Sequence, residues 1–199
     1  MIVSGSRKFV FAHVPKTGGI SIGAALEPFA DGQSAAHPDT THETLPAFIA
    51  RHPEMKGHFK FAFVRNPWDR LVSFYFNALE RLARTIPQMQ SVGGFGGMLH
   101  TLDADAQWIR ELHIVRPQRE FVRCEDGAML ADFVGRFEHL EADFAQACER
   151  AGIAATLPKK NASSHGPYAN YYDDWCKGFV AARYRQDITE FDYAFEAAA

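Results

Sequence analysis

Two short stretches of the chain carry side chains suited to gripping an anion. In the first, Pro15-Lys16-Thr17-Gly18-Gly19-Ile20-Ser21, a lysine and two hydroxyls gather about a pair of glycines. The lysine precedes the glycines, so the order is not that of the GxxxxGK[ST] phosphate loop. In the second, FVRNPWDRLVSFY, Arg65 is followed eight residues on by Ser73. A guanidinium can hold a phosphate through two parallel hydrogen bonds. Ser73, about two turns into a helix, would add a hydroxyl from the same side. Each stretch alone has a plainer explanation: a structural turn with a surface lysine, or an ion-pairing arginine beside a small packing serine. Taken together they suit one ligand with phosphate groups at both ends.

The elements around these stretches place both at strand ends. KFVFAHV (Lys8 to Val14) is apolar enough for a buried strand. Pro15 ends it, and ISIGAALEPF has helical spacing up to Pro28. Strand, glycine loop and helix in that order aim backbone amides and a helix N-terminus at one point. FKFAFV is a second buried strand, Asn66 a helix N-cap, and Pro67 fits the first helical turn. Leu71, Phe74, Tyr75, Ala78 and Leu82 then form an apolar stripe. Arg65 therefore stands at the carboxyl end of a strand, where open parallel sheets bind their ligands.

The remaining expectations are a loop over 29–40, a short helix over Glu43 to Arg51, and a flexible segment over 84–101 that includes GGFGG. A helix near Ala104 to Leu112, a strand near Glu120 to Arg123 and another strand at Phe133 to Phe137 follow. HLEADFAQACERAG reads as a helix closed by Gly152. A polar loop over Leu157 to Tyr172 and helices near Asp174 to Tyr184 and Ile188 to Phe195 complete the chain. Strands alternating with helices predict an α/β fold, a P-loop-like and mostly parallel sheet with helices on both faces.

Composition narrows the function further. With 199 residues, 47% hydrophobic content and 17 Phe, the chain suits one domain spanning 1–199. Three separated cysteines, Cys124, Cys148 and Cys176, form no disulfide framework, and the nine histidines show no metal-ligand spacing. No metal is expected. A formal net charge of −3 gives no reason to expect nucleic-acid binding. No stretch approaches the roughly 20 apolar residues of a membrane span, and Arg7 and Lys8 interrupt any signal-like run. A cytoplasmic location is expected.

FAHVPKTGGIS and FKFAFVRNPWDRLVSFY closely resemble the two nucleotide-binding motifs of the family 2 sulfotransferases, which include carbohydrate sulfotransferases. RPQREF, GRFEHLEADF, LPKKNASSH and YRQDITEFDYAF extend the likeness over most of the chain. The resemblance implies a sulfuryl donor, 3′-phosphoadenosine-5′-phosphosulfate. It implies that Lys16, Thr17, Gly18, Gly19 and Ser21 hold the 5′-phosphosulfate and that Arg65 and Ser73 hold the 3′-phosphate. Where such loops usually carry a second threonine, this chain has Ile20, and the lost hydroxyl predicts weaker donor binding by about 1 kcal/mol.

The implied chemistry is in-line attack of an acceptor hydroxyl on sulfur, with Lys16 stabilising the departing phosphate oxygen. A histidine is suited to the general base. His42 is the choice, because related enzymes carry their base in the stretch upstream of Arg65, and HETLPAF has a similar histidine-to-phenylalanine interval. His58, His13 and the carboxylate of Glu43 are the alternatives. Lys159, Lys160, Asn161 and Ser163 either close over the donor or form a basic surface turn. Tyr168, Tyr171, Tyr172 and Trp175 either stack on a sugar or, as the favoured reading, pack onto the core. Two other function classes remain open: a P-loop-like kinase, which would need Mg²⁺, and a non-catalytic nucleotide-binding module, towards which Ile20 leans. The acceptor and the oligomeric state are not legible.

Overall fold

The computed structural model describes residues 1–31, 42–158 and 165–196. Residues 32–40 of the loop expected over 29–40 lie outside these, as do Lys159, Lys160, Asn161 and Ser163. The described chain is mixed α/β, with a four-stranded, mostly parallel sheet and eight α-helices among the described residues. It falls into two compact units, Met1–Arg65 with Gln118–Lys160 and Asn66–Pro117 with Asn161–Ala199.

The first unit contains the sheet, in the order β1 (Ile2–Ser4), β2 (Phe9–Ala12), β3 (Phe59–Val64), β4 (Phe133–Arg136). β1 runs antiparallel to β2, and the other pairs are parallel. The parallel register sets Phe9 beside Phe59, Phe11 beside Phe61 and Phe61 beside Phe133. Side chains alternate along a strand, so these phenylalanines share one face. Phe11 and Phe61 approach to 5.3 Å between ring centroids. Helix α1 (Gly19–Leu26) adds Ile22 and Leu26 to that face, and α6 (Leu140–Ala151) adds Phe144, Ala147 and Cys148. Val10, Ala12, Ala62 and Val64 on the opposite face are buried too, which is why β2 reads as an unbroken apolar run and β3 as one interrupted only by Lys60. α2 (Leu45–Arg51) also belongs here; its N-cap Thr44 accepts from the Ala47 amide at 3.3 Å.

The second unit is helical among its described residues. α3 (Pro67–Glu80) begins as expected, with the Asn66 side chain accepting from the Trp68 amide at 3.1 Å. Its buried Leu71, Phe74 and Ala78 pack with Phe95, Met98, Leu99 and Leu102 of α4 (Gly94–Asp103) and with Cys176 and Val180 of α7 (Asp174–Arg183). Arg70 is 1% exposed and donates from Nη2 to the carbonyls of Ile114 at 2.5 Å and Arg116 at 2.9 Å. The tyrosines pack rather than line an open groove. Tyr172 donates to the Trp68 carbonyl at 2.9 Å, and Phe195 lies 5.5 Å from both Tyr168 and Tyr172. Trp175 stacks on His100 at 3.8 Å and on Phe179 at 5.4 Å.

Several expectations change. The flexible segment over 84–101 contains α4, because Phe95, Met98, Leu99 and Leu102 repeat at helical spacing and their burial outweighs the weak propensity of glycine. Gly93 and Gly94, at φ of 74° and 97°, supply the turn into it. The strand near Glu120 to Arg123 is absent. Residues Gln118–Phe121 form a 3₁₀ turn, the amides of Val122 and Arg123 both bond the Arg119 carbonyl, and pairing is limited to a single antiparallel bridge between Arg123 and Met129. The helix near Ala104 to Leu112 shrinks to one turn, α5 (Gln107–Arg110). The tail helix moves upstream to α8 (Arg185–Glu190), ending before Asp192 at a φ of 52°. β1 has no counterpart among the sequence expectations, since three residues show no periodicity.

Candidate functional site

The loop after β2 is built from strained backbone. Lys16 has a φ of 68° and Gly18 a φ of 84°. A left-handed conformation is unremarkable for glycine but costs a lysine about 1–3 kcal/mol, a cost that tends to concentrate at functional sites. Thr17 is fully buried, and its hydroxyl donates to the Val14 carbonyl at 2.9 Å. That hydroxyl therefore closes the loop on itself, and what the threonine contributes is loop shape. The amides of Ser21 and Ile22 bond the Gly18 carbonyl at 3.0 and 3.1 Å, which starts α1. The amides of Gly19 and Ile20, ahead of that first bond, have no intrahelical acceptor, and Gly18, the N-cap of α1, brings no side chain to them. This is the arrangement that attracts an anion to a helix N-terminus. Ser21 lies half-buried in the same turn, and Ile20 projects with 66% of its surface exposed.

Gly19 is fixed by a close approach. A Cβ placed there would lie 1.9 Å from Cδ2 of His13, so the imidazole of His13 fills the space a side chain would need. Burial, reinforced by neighbouring His42, lowers the pKa of His13 to about 3, so it stays neutral at ordinary pH. Its ring lies 4.6 Å from that of His42. His42 Nδ1 lies 3.2 Å from the His13 carbonyl. A carbonyl can only accept, so in this contact Nδ1 is the donor.

Arg65 stands one residue beyond β3 and is 4% exposed. Its Nη1 donates to the Lys16 carbonyl at 3.3 Å, and its guanidinium lies 4.1 Å over the Phe137 ring. β2 and β3 are parallel neighbours, so the loop and Arg65 occupy the same end of the sheet. His58 precedes β3 and lies at the other end, about 20 Å away at the usual rise per residue of a strand. It is therefore remote from the loop. Glu43 is engaged by Arg51 through both carboxylate oxygens, at 3.0 and 2.5 Å. Lys16, Thr17, Gly18, Gly19, Ser21, His42 and Arg65 all belong to the first unit. Ser73 lies in the second, buried on α3.

The sequence reading gave no role to Gln118 or Phe137, both of which touch Arg65. Their surrounding segments, RPQREF and GRFEHLEADF, carried family likeness and no visible chemistry. No helix among the described residues is long and apolar enough to cross a membrane. Among the same residues, no cluster of three or more His, Cys, Asp or Glu has the geometry to hold a metal ion.

Residues 1–194 match the family model described as the Sulfotransferase family. The chain belongs to the family 2 sulfotransferases, enzymes of sulfuryl transfer. No curated protein sequence matches the chain.

Proposed function

We propose that this protein transfers a sulfuryl group from 3′-phosphoadenosine-5′-phosphosulfate to an acceptor hydroxyl, with a carbohydrate as the acceptor class. The observation that carries the reading is the hydrogen bond from Arg65 to the Lys16 carbonyl, which brings the two cationic residues together at one end of the parallel sheet. The α1 amides and Lys16 hold the 5′-phosphosulfate in a P-loop-like manner, with Gly18, Gly19 and Ser21 shaping and completing that cradle. Thr17 acts through the turn it closes. Arg65 takes the 3′-phosphate; Ser73 is assigned to the same group on the family resemblance.

His42 Nε2 accepts the acceptor's proton as the hydroxyl oxygen bonds to sulfur. The bond from sulfur to the bridging phosphate oxygen breaks, and 3′-phosphoadenosine-5′-phosphate leaves with the electron pair. Lys16 and the helix N-terminus stabilise the charge that builds on that oxygen. The neutral His13 keeps an additional positive charge away from the loop while its ring sets the position of Gly19. The whole chain acts as one catalytic domain without a metal, and no nucleic acid or membrane partner is part of the reading.

Calorimetry with 3′-phosphoadenosine-5′-phosphate and with ATP tests this. The bisphosphate is expected to bind in the micromolar range and ATP weakly, without any Mg²⁺ requirement. Equal affinity for both nucleotides would favour a kinase. Tight binding of the bisphosphate with no turnover of any hydroxyl acceptor would favour a non-catalytic module.

A further inference from the structure

The main chain of Arg65 is held by a side chain. The last register pair between β3 and β4 is Val64 with Arg136, so Arg65 lies one residue past the ladder. There the fully buried Gln118 takes over. Its Oε1 accepts from the Arg65 amide at 2.9 Å, and its Nε2 donates to the Arg65 carbonyl at 2.8 Å. One amide side chain thus reproduces the pair of bonds that a neighbouring strand would give to a single residue. The other end of Arg65 is fixed by Phe137, directly after Arg136, whose ring lies 4.1 Å beneath the guanidinium. The same ring faces the loop, since a Cβ at Gly18 would meet Phe137 Cδ2 at 3.4 Å.

We infer that Gln118 is a positioning residue for anion binding: it fixes the backbone of Arg65 so that the guanidinium stays between the Phe137 ring and the Lys16 carbonyl. A buried amide bonded to main chain is ordinary structure in most places. Here both bonds fall on the one residue assigned to the 3′-phosphate, and a small rotation about its φ and ψ would carry the guanidinium off its ring. The inference rests on that assignment of Arg65.

The test compares affinities for 3′-phosphoadenosine-5′-phosphate and adenosine-5′-phosphate, whose ratio isolates the 3′-phosphate. In the wild type the ratio is expected to be large, and Arg65→Ala collapses it towards one. Gln118→Met keeps the shape of the side chain and removes both bonds. It should cut the ratio about 10-fold while moving affinity for adenosine-5′-phosphate less than about 2-fold, as expected for misplacement of one binding group. Added to Arg65→Ala, it should cause no further loss of the ratio. Gln118→Asn, one methylene shorter, keeps the amide and should fall between wild type and Gln118→Met; it carries the test if the methionine variant does not fold. A ratio unchanged by the Gln118 variants, or equal loss for both nucleotides, overturns the positioning role while leaving Arg65 intact. A wild-type ratio near one removes the assignment of Arg65 and this inference with it.

Discussion

Two buried arginines, five positions apart in the chain, are held in different ways. Arg70, in the helical unit, is 1% exposed, and its Nη2 closes on two carbonyls, those of Ile114 and Arg116. Its charge is matched by peptide dipoles that tie α3 to the 114–116 segment. Arg65, in the sheet unit, is 4% exposed, and its contacts reach its backbone as well as its head. Gln118 holds its backbone, an aromatic face lies beneath its head, and the carbonyl it reaches belongs to the loop lysine. The same contrast runs through each region. Polar groups in the helical unit, such as the hydroxyls of Tyr172 and Tyr184, donate to carbonyls of Trp68 and Val115 and finish the packing. Around the β2 loop the chain instead accepts a left-handed lysine, an uncapped helix start and a half-buried neutral histidine.

The largest effect expected is on turnover. His42→Ala should lower kcat by about 10²–10⁴-fold while bisphosphate affinity stays within about 2-fold of wild type. Retained turnover would remove His42 from the role of base. Next comes the arginine pair itself. Arg65→Ala should weaken binding of 3′-phosphoadenosine-5′-phosphate about 100-fold by loss of charge-assisted bonds, with a modest change in melting temperature. Arg70→Ala should instead cost about 2–4 kcal/mol of stability by leaving buried carbonyls without their donor, measurable by urea unfolding. If the two variants exchanged these phenotypes, the contrast would be wrong.

A third prediction concerns pH. His13 has a folded pKa of about 3 against an ordinary value of 6.5, so between these values the unfolded chain binds the extra proton. Its contribution to stability is therefore complete above pH 6.5 and is lost as pH falls towards 3. The melting temperature of His13→Asn should fall less steeply than that of wild type across this window; parallel curves would contradict the half-buried neutral ring. The smallest effect is expected at Ile20. Restoring a hydroxyl with Ile20→Thr should tighten bisphosphate binding about 5-fold, the value of roughly one neutral hydrogen bond. Stability should hardly change, because the side chain is 66% exposed.

What the sequence made legible was local. β2, β3 and β4 show as dense apolar runs, α3 as a capped stripe behind Asn66, and α6 by its closing Gly152 at a φ of 66°. The anion loop and Arg65 were visible because each has the right residue types at a strand end. What stayed hidden depends on partners distant in sequence. Gln118 meets Arg65 across 53 positions, and no pattern within RPQREF signals a side chain bonded to another segment's backbone. The Glu120 to Arg123 stretch looks like a strand by composition, and only its turn bonds to the Arg119 carbonyl show otherwise. The glycines before α4 suggest a breaker until the burial of Phe95 and Leu99 is known. Nothing in the sequence signals that the Thr17 hydroxyl closes its own loop by donating to the Val14 carbonyl.

The central claim is that one end of the sheet grips both ends of one nucleotide, and a crystal structure with 3′-phosphoadenosine-5′-phosphate tests it most directly. The 5′-phosphate is predicted to sit on the first-turn amides of α1 beside Lys16, with the 3′-phosphate on the guanidinium of Arg65. A nucleotide bound elsewhere, or one whose 3′-phosphate makes no contact with Arg65, would contradict the account.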